Sequence, residues 1–220
     1  MDLLQARSNM IEQQVRPWDV LDQRVLDVLA EVPREAFVDP ARRGLAYSDF
    51  ALPIGHGQHL FKPTLDGRLL QALALGITDR ALEIGTGSGY LSSCIARLCA
   101  HCETLEIVPE LAASATARLA ELGVANATVR CQDAATEWDA RESYDAILFG
   151  GSVVEVPERY RHGLAIGGRL VAILGEAHRP TMEAVLLTRV HTDEWTTEGL
   201  FDTRVEPLAN FTGAPTAFVF

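Results

Sequence analysis

The sequence has no run of apolar residues near the ~20 needed to span a bilayer. Its opening stretch, MDLLQARSNMIEQQ, is helical in pattern and carries no apolar signal core. Positive charge is scarce: 19 Lys and Arg stand against 30 Asp and Glu, for a net charge of −11. Such a surface repels phosphate backbones and anionic lipid, so neither nucleic acid nor a membrane is expected as a partner. Cysteine is sparse too. Cys99 and Cys102 have the spacing of a redox pair or half a zinc site, but no second close Cys/His pair completes a tetrahedral set. Cys94, Cys99, Cys102 and Cys131 are therefore expected as buried, reduced thiols, with no metal site. The cytoplasm is the expected compartment. No repeat, low-complexity tract, heptad or exposed apolar stripe is present, so one domain over 1–220 and a monomer are the simple expectations.

Hydrophobic residues make up 48% and charged residues 22%, the balance of a globular protein whose core needs no staple. The organisation changes near residue 79. Before it, residues 20–30 put Val20, Leu21, Val25, Leu26 and Leu29 on one helical stripe, ended by Val32-Pro33. Residues 34–62 form a long irregular connection, expected to pack through Phe37, Tyr47, Phe50, Leu52 and Ile54. Pro63 opens a helix with Leu65, Leu69, Leu70 and Leu73 on its buried face, and Gly76 is placed to cap it. After residue 79, strand-like runs at 80–84, 103–108, 127–131, 144–149 and 169–174 alternate with helices or turns. Two further runs, 183–190 and 200–206, have no helix between them. An α/β fold is expected, a mostly parallel seven-stranded sheet with an antiparallel C-terminal hairpin.

The sharpest signal is Leu82-Glu83-Ile84-Gly85-Thr86-Gly87-Ser88-Gly89-Tyr90. A buried strand runs into glycines and then a helix. Gly85 and Gly87 let the backbone turn and approach a ligand, and Gly89 lets the helix pack close to the strand. The G-x-G-x-G spacing differs from the dinucleotide fingerprint, which ranks NAD last among the readings. S-adenosyl-L-methionine carries no phosphate; it needs partners for an ammonium, a ribose diol and an adenine. Glu83 before the loop suits the ammonium. Glu106 ends the second strand and suits the diol, and Asp133 after the third suits the adenine amine. Three acids after three successive strands converge on one crevice at the carboxyl end of the sheet.

With these residues in view, the chain resembles the protein-L-isoaspartate O-methyltransferase family over nearly its whole length. Arg24-Val25-Leu26, Val32-Pro33-Arg34-Glu35-Ala36-Phe37-Val38 and Ala46-Tyr47-Ser48-Asp49 are similar to the family's opening segments. Leu52 through Gln58 is similar to the stretch that leads to its active site, and Leu82–Tyr90 to its glycine motif. Tyr144-Asp145-Ala146-Ile147 and Gly167-Gly168-Arg169-Leu170-Val171 resemble its fourth and fifth strands. The resemblance implies a class I methyltransferase (Rossmann-like) fold with an N-terminal helical extension. Residues 1–78 would be the acceptor side and 79–220 the donor-binding core. It implies an S-adenosylmethionine-dependent enzyme that methylates the carboxylate of isoaspartyl residues in damaged proteins or peptides, the first step of their repair. By that likeness Glu83, Gly85, Thr86, Gly87, Ser88, Gly89, Glu106, Ile107, Asp133 and Ala134 contact the donor.

Two segments depart from the family pattern. After Gly-Gln the family usually reads Thr-Ile-Ser-x-Pro, with the serine taken as catalytic; here Gln58 is followed by His59-Leu60-Phe61-Lys62-Pro63. Gly-Asp-Gly after the third strand reads Gln132-Asp133-Ala134. Phe61 thus stands at the catalytic position, beside His59 and Gln58. A carboxylate acceptor is already a nucleophile and needs placement and drying rather than a base. Phe61 can exclude water, while His59 or Lys62 can offer a donor to an acidic acceptor. Two alternatives follow: the same scaffold acting on another, small acceptor, or a noncatalytic protein that binds S-adenosylmethionine.

Overall fold

The computed structural model describes residues 2–139 and 143–211. Asp2 caps helix α1 (Leu3–Met10) by accepting from the Leu4 and Gln5 amides, and the chain continues through a wider turn at Ile11–Val15. Asp22 caps α2 (Gln23–Glu31), whose Val25, Leu26, Val28 and Leu29 are buried. Leu21 is not on that face. It precedes the cap and is 70% exposed, because the helix starts three residues later than the apolar stripe suggests. The connection that follows is packed as expected through Phe37, Tyr47 and Leu52, but Phe50 is exposed. It holds short 3-10 turns and a hairpin, β1 (Leu52–Gly55) and β2 (Gln58–Leu60).

Helix α3 (Pro63–Leu73) buries Leu65, Leu69, Leu70 and Leu73. Gly76 does not cap it. Ala74 takes the left-handed conformation instead, at φ +45°, and the Gly76 amide is held by Asp79 Oδ2 at 2.9 Å. Gly67 of α3 is a close-approach position. A Cβ there would stand 2.9 Å from Val15 Cγ1 and 3.0 Å from Val20 Cγ2, so glycine lets the N-terminal section reach the helix.

The alternating region forms β3 (Arg80–Ile84), α4 (Tyr90–Leu98), β4 (His101–Glu106), α5 (Pro109–Glu121) and β5 (Ala127–Cys131). It continues as β6 (Tyr144–Val153), α6 (Glu158–His162), β7 (Leu164–Leu174), β8 (Met182–His191) and β9 (Glu194–Thr203). Among the described residues the main sheet has seven strands in the order β5-β4-β3-β6-β7-β8-β9. β5 through β7 are parallel; β8 and β9 are antiparallel to their neighbours. The last strand begins at Glu194, not at residue 200, because an edge strand exposed on both faces shows no apolar alternation. The strand order reverses beside β3, which opens a crevice beyond the carboxyl ends of β3 and β6.

Period-two alternation separates two cores. Leu148, Val171 and Ile173 face α3, α4 and the N-terminal helices; Ile147, Phe149, Leu170 and Ala172 face Trp138, Tyr144 and Tyr160. Cys94, Cys99 and Cys102 are buried, whereas Cys131, the last residue of edge strand β5, is exposed, contrary to the expectation for all four. Gly89 packs not against the strand but against α5: a Cβ would lie 3.2 Å from Ala115 Cβ. No helix among the described residues is long and apolar enough to cross a membrane.

Gly67→Val is expected to destabilise the protein by about 1–3 kcal/mol, since two valine side chains already fill that volume. Urea unfolding checks this; an unchanged midpoint would show that the N-terminal section does not pack tightly on α3.

Candidate active site

Where β3 ends, the chain must turn without side chains in the way. Gly85, Gly87 and Gly89 sit at φ +90°, +53° and +87°, a region that L side chains enter at a cost of roughly 1–2 kcal/mol each. The Gly85 amide donates to Leu105 O at 2.8 Å, which pins the turn to β4. Glu106 completes it. Its Oε2 accepts from the Gly87 amide at 2.8 Å and its Oε1 from the Val108 amide at 3.0 Å. Each carboxylate oxygen can accept a second hydrogen bond, so capacity for a diol remains.

Glu83 lies in the floor. It is buried and accepts from the Ser92 hydroxyl and from Thr104 Oγ1 (2.8 Å), and Thr86 Oγ1 is 2.7 Å from that of Thr104. Burial pushes its carboxyl up to about 7; the hydroxyls oppose this, while the charges of Glu106 and Asp66 add to it. Asp133 caps the turn after β5. Its oxygens accept from the Ala135 amide (2.8 Å), Thr136 Oγ1 (2.9 Å) and Asn210 Nδ2 (2.9 Å). Burial opposes, but these bonds hold the Asp133 carboxyl below its ordinary value.

These groups line one cleft of about 890 Å³, partly open to solvent. Every residue expected to contact donor or acceptor lines it except Gly89, which is the helix-packing position, and Lys62. The fit to a nucleoside with a charged amino-acid tail rests on three observations. The glycine backbone is bare at the turn. Acids stand at both ends. Ile107, 37% exposed, faces the cleft with Ala134 and Phe211 as apolar walls for a base.

Two elements escaped the sequence reading. The first is a strap, residues 204–211, laid across the carboxyl end of the sheet. The Ser152 amide donates to Glu206 O (3.0 Å) and the Leu208 amide to Ser152 O (2.9 Å). Leu208 rests on the glycine turn, where a Cβ on Gly85 would lie 2.8 Å from its Cδ2. Phe211 packs edge-on against Phe149. The stretch has no periodicity, so no pattern marks it. The second is Arg34, fully buried. It donates to Ala46 O (2.8 Å), to the Phe61 carbonyl and to Asp66 Oδ2, and lies over the Tyr90 ring. A signal for Asp66 was present: it shares the spacing i, i+4, i+7 with buried Leu70 and Leu73.

A second cleft of about 830 Å³ adjoins the first and shares Gln58, His59, Phe61, Gly150 and Leu208 with it. Lys62, Arg204 and Glu206 line only the second. Lys62 Nζ sits 4.4 Å above the Trp18 ring.

The model of the protein-L-isoaspartate(D-aspartate) O-methyltransferase family matches residues 5–204. Protein-L-isoaspartate O-methyltransferase 1 of Rhodopseudomonas palustris (strain HaA2) is 40% identical over 202 residues, 92% of this chain and 82% of the relative. The enzyme of that name from Roseiflexus castenholzii is 41% identical over 208 residues, 94% of either chain. A Plasmodium falciparum structure described as a protein-L-isoaspartate O-methyltransferase, solved with S-adenosyl-L-homocysteine, superposes with a TM-score of 0.80. It is 21% identical and covers 96% of this chain and 99% of that one. At that identity the likeness carries the fold, a class I methyltransferase.

Glu83 gives a test by pH. Its folded value is raised, so the stability it contributes is present below about 4.5 and lost as pH rises through about 7. Glu83→Gln is therefore expected to stabilise the ligand-free protein relative to the parent more at pH 8 than at pH 5, by on the order of 3 kcal/mol. Melting curves across that range check it; parallel curves would mean that Glu83 is not a strained buried acid.

Proposed function

The chain belongs to the protein-L-isoaspartate O-methyltransferase family, and from that premise we propose how its residues carry methyl transfer from S-adenosylmethionine to the free carboxylate of an isoaspartyl residue. The observation that carries the reading is the contiguity of the two clefts. A donor seated against the glycine turn and an acceptor in the neighbouring cleft meet at Gln58, His59, Phe61, Gly150 and Leu208.

The donor supplies a methyl group on a sulfonium, electrophilic without further activation. Glu106 takes the ribose hydroxyls, and Ile107, Ala134 and Asp133 take the base. The bare turn at Gly85 and Gly87 admits the chain between them. The acceptor carboxylate is anionic at neutral pH, so no residue has to remove a proton from it. What the site must supply is placement and exclusion of water, which together lower such barriers by up to about 7–11 kcal/mol. Phe61, held through its own carbonyl by Arg34, forms an apolar wall at the junction. It cannot donate a hydrogen bond. The Gln58 amide and the His59 ring, on the same segment, are the groups that can orient the acceptor there.

On the same reading the chain works as a cytoplasmic monomer, and its three buried free thiols are in keeping with a reducing compartment.

Incubation with methyl-labelled donor is expected to give a base-labile ester on an isoaspartyl peptide and none on the matched aspartyl peptide. Transfer only to other components of a cell extract would overturn the acceptor, and donor binding without any transfer would overturn the enzyme reading. Phe61→Ser should lower KM for the peptide about tenfold, the worth of one hydrogen bond to a charged group; an unchanged KM removes residue 61 from the acceptor site. Glu106→Ala should raise the Kd of S-adenosylhomocysteine at least tenfold by calorimetry. Equal affinity would exclude it as the ribose ligand.

A further inference from the structure

The floor of the donor cleft holds an imbalance that the fold alone does not resolve. Asp66, on α3, is fully buried and lines the cleft beside Glu83 and Phe61. Its Oδ2 accepts from Arg34, while its Oδ1 has no hydrogen-bond partner among the described residues. A buried carboxylate oxygen left without a donor is costly, and native structures seldom keep one without a use for it. Arg34 does not fill the need, because it is spread over Ala46 O, the Phe61 carbonyl and the other oxygen. Glu83 adds a second acid. Its described partners are the hydroxyls of Ser92 and Thr104, and among the described residues no cation pairs with it. The one guanidinium at hand thus answers a single oxygen of Asp66 and none of Glu83, and burial raises both carboxyl groups, Asp66 to about 6 and Glu83 to about 7.

A small cation with several N–H donors would balance this floor. We infer that Asp66, through Oδ1, is a binding residue for the ammonium of the donor's amino-acid end, acting together with Glu83. The inference rests on the donor reading above and deepens it. Other parts of a nucleoside donor fit the position less well. Its own carboxylate would be repelled there. Its diol is served by Glu106, which stands on β4 across the glycine turn. An ammonium has three donors, enough for both acids at once. Asp66 also sits five residues after Phe61 and shares its anchor, Arg34, so the amino-acid end would lie next to the acceptor segment.

The test compares two ligands on one variant. S-adenosylhomocysteine carries the ammonium; 5′-methylthioadenosine has the same nucleoside and sulfur but no amino-acid end. Asp66→Asn is expected to raise the Kd of the first tenfold or more and to leave the second within about twofold, by calorimetry. Equal loss of both ligands would make Asp66 a merely structural partner of Arg34 and overturn the inference. An unchanged Kd for S-adenosylhomocysteine would overturn it as well. If the single variant does not fold, the Arg34→Gln/Asp66→Asn pair, which removes both charges together, carries the same comparison with the same two outcomes. Failure of the parent protein to bind S-adenosylhomocysteine would instead overturn the donor reading, and this inference with it.

Discussion

Glu106 holds the cleft at the end of β3 in shape by a double grip on the backbone. One carboxylate at the end of β4 takes the amide of Gly87 and that of Val108. The glycine turn after β3 and the approach to α5 are thereby set against each other at a fixed spacing. Charge-assisted bonds of this kind are about twice as strong as neutral ones, and both are partly buried here. With the turn fixed, the remaining parts fall into place around it. Gly150 lets β6 approach so closely that a Cβ there would lie 2.7 Å from Gly85 O, and Leu208 covers the turn from above.

Arg34 plays the matching part on the acceptor side. A fully buried arginine is expensive unless every face of it is answered. Here the answers come from separate pieces of chain: Ala46, the carbonyl of Phe61, Asp66 at the start of α3, and the ring of Tyr90 at the start of α4. The irregular connection between α2 and α3 therefore keeps a defined path despite having little regular structure. This path carries Phe61, in place of a hydroxyl, to the boundary between the two clefts. On the proposed function, an apolar residue at that point trades a hydrogen bond for dryness, and a carboxylate stripped of water is the stronger nucleophile.

The fold was legible where local chemistry leaves little choice. Three glycines after a buried strand mark a turn at positive φ, and apolar runs broken by helical stripes mark a covered parallel sheet. Legibility failed where a helix begins or ends away from its apolar pattern, and where contacts distant in sequence decide. Helix α3 ends at Leu73, so Ala74 rather than Gly76 takes the left-handed position, and the Gly76 amide is bound by Asp79. Leu21 reads as core by its helical spacing and Phe50 by its apolar ring, yet the first lies before the cap of α2 and both are exposed. Glu83, Glu106 and Asp133 could be brought to one cleft because each lies at or just past the carboxyl end of a strand. The 204–211 strap could not, since its bonds to Ser152 and its contact with Gly85 join positions far apart in the chain. Asp66 carried the spacing of the buried face of α3, whereas Arg34 carried no such mark, and only three-dimensional pairing separates a buried arginine from a solvated one.

The four cysteines differ in a way that has a practical use. Burial pushes the thiols of Cys94 and Cys102 far up, and that of Cys99 to about 11, so they react sluggishly with alkylating agents. Cys131 alone is open, and it immediately precedes Gln132 in the wall of the cleft that Glu106 shapes. A maleimide dye would attach there without mutagenesis, giving a fluorescent reporter one residue from the wall of that cleft.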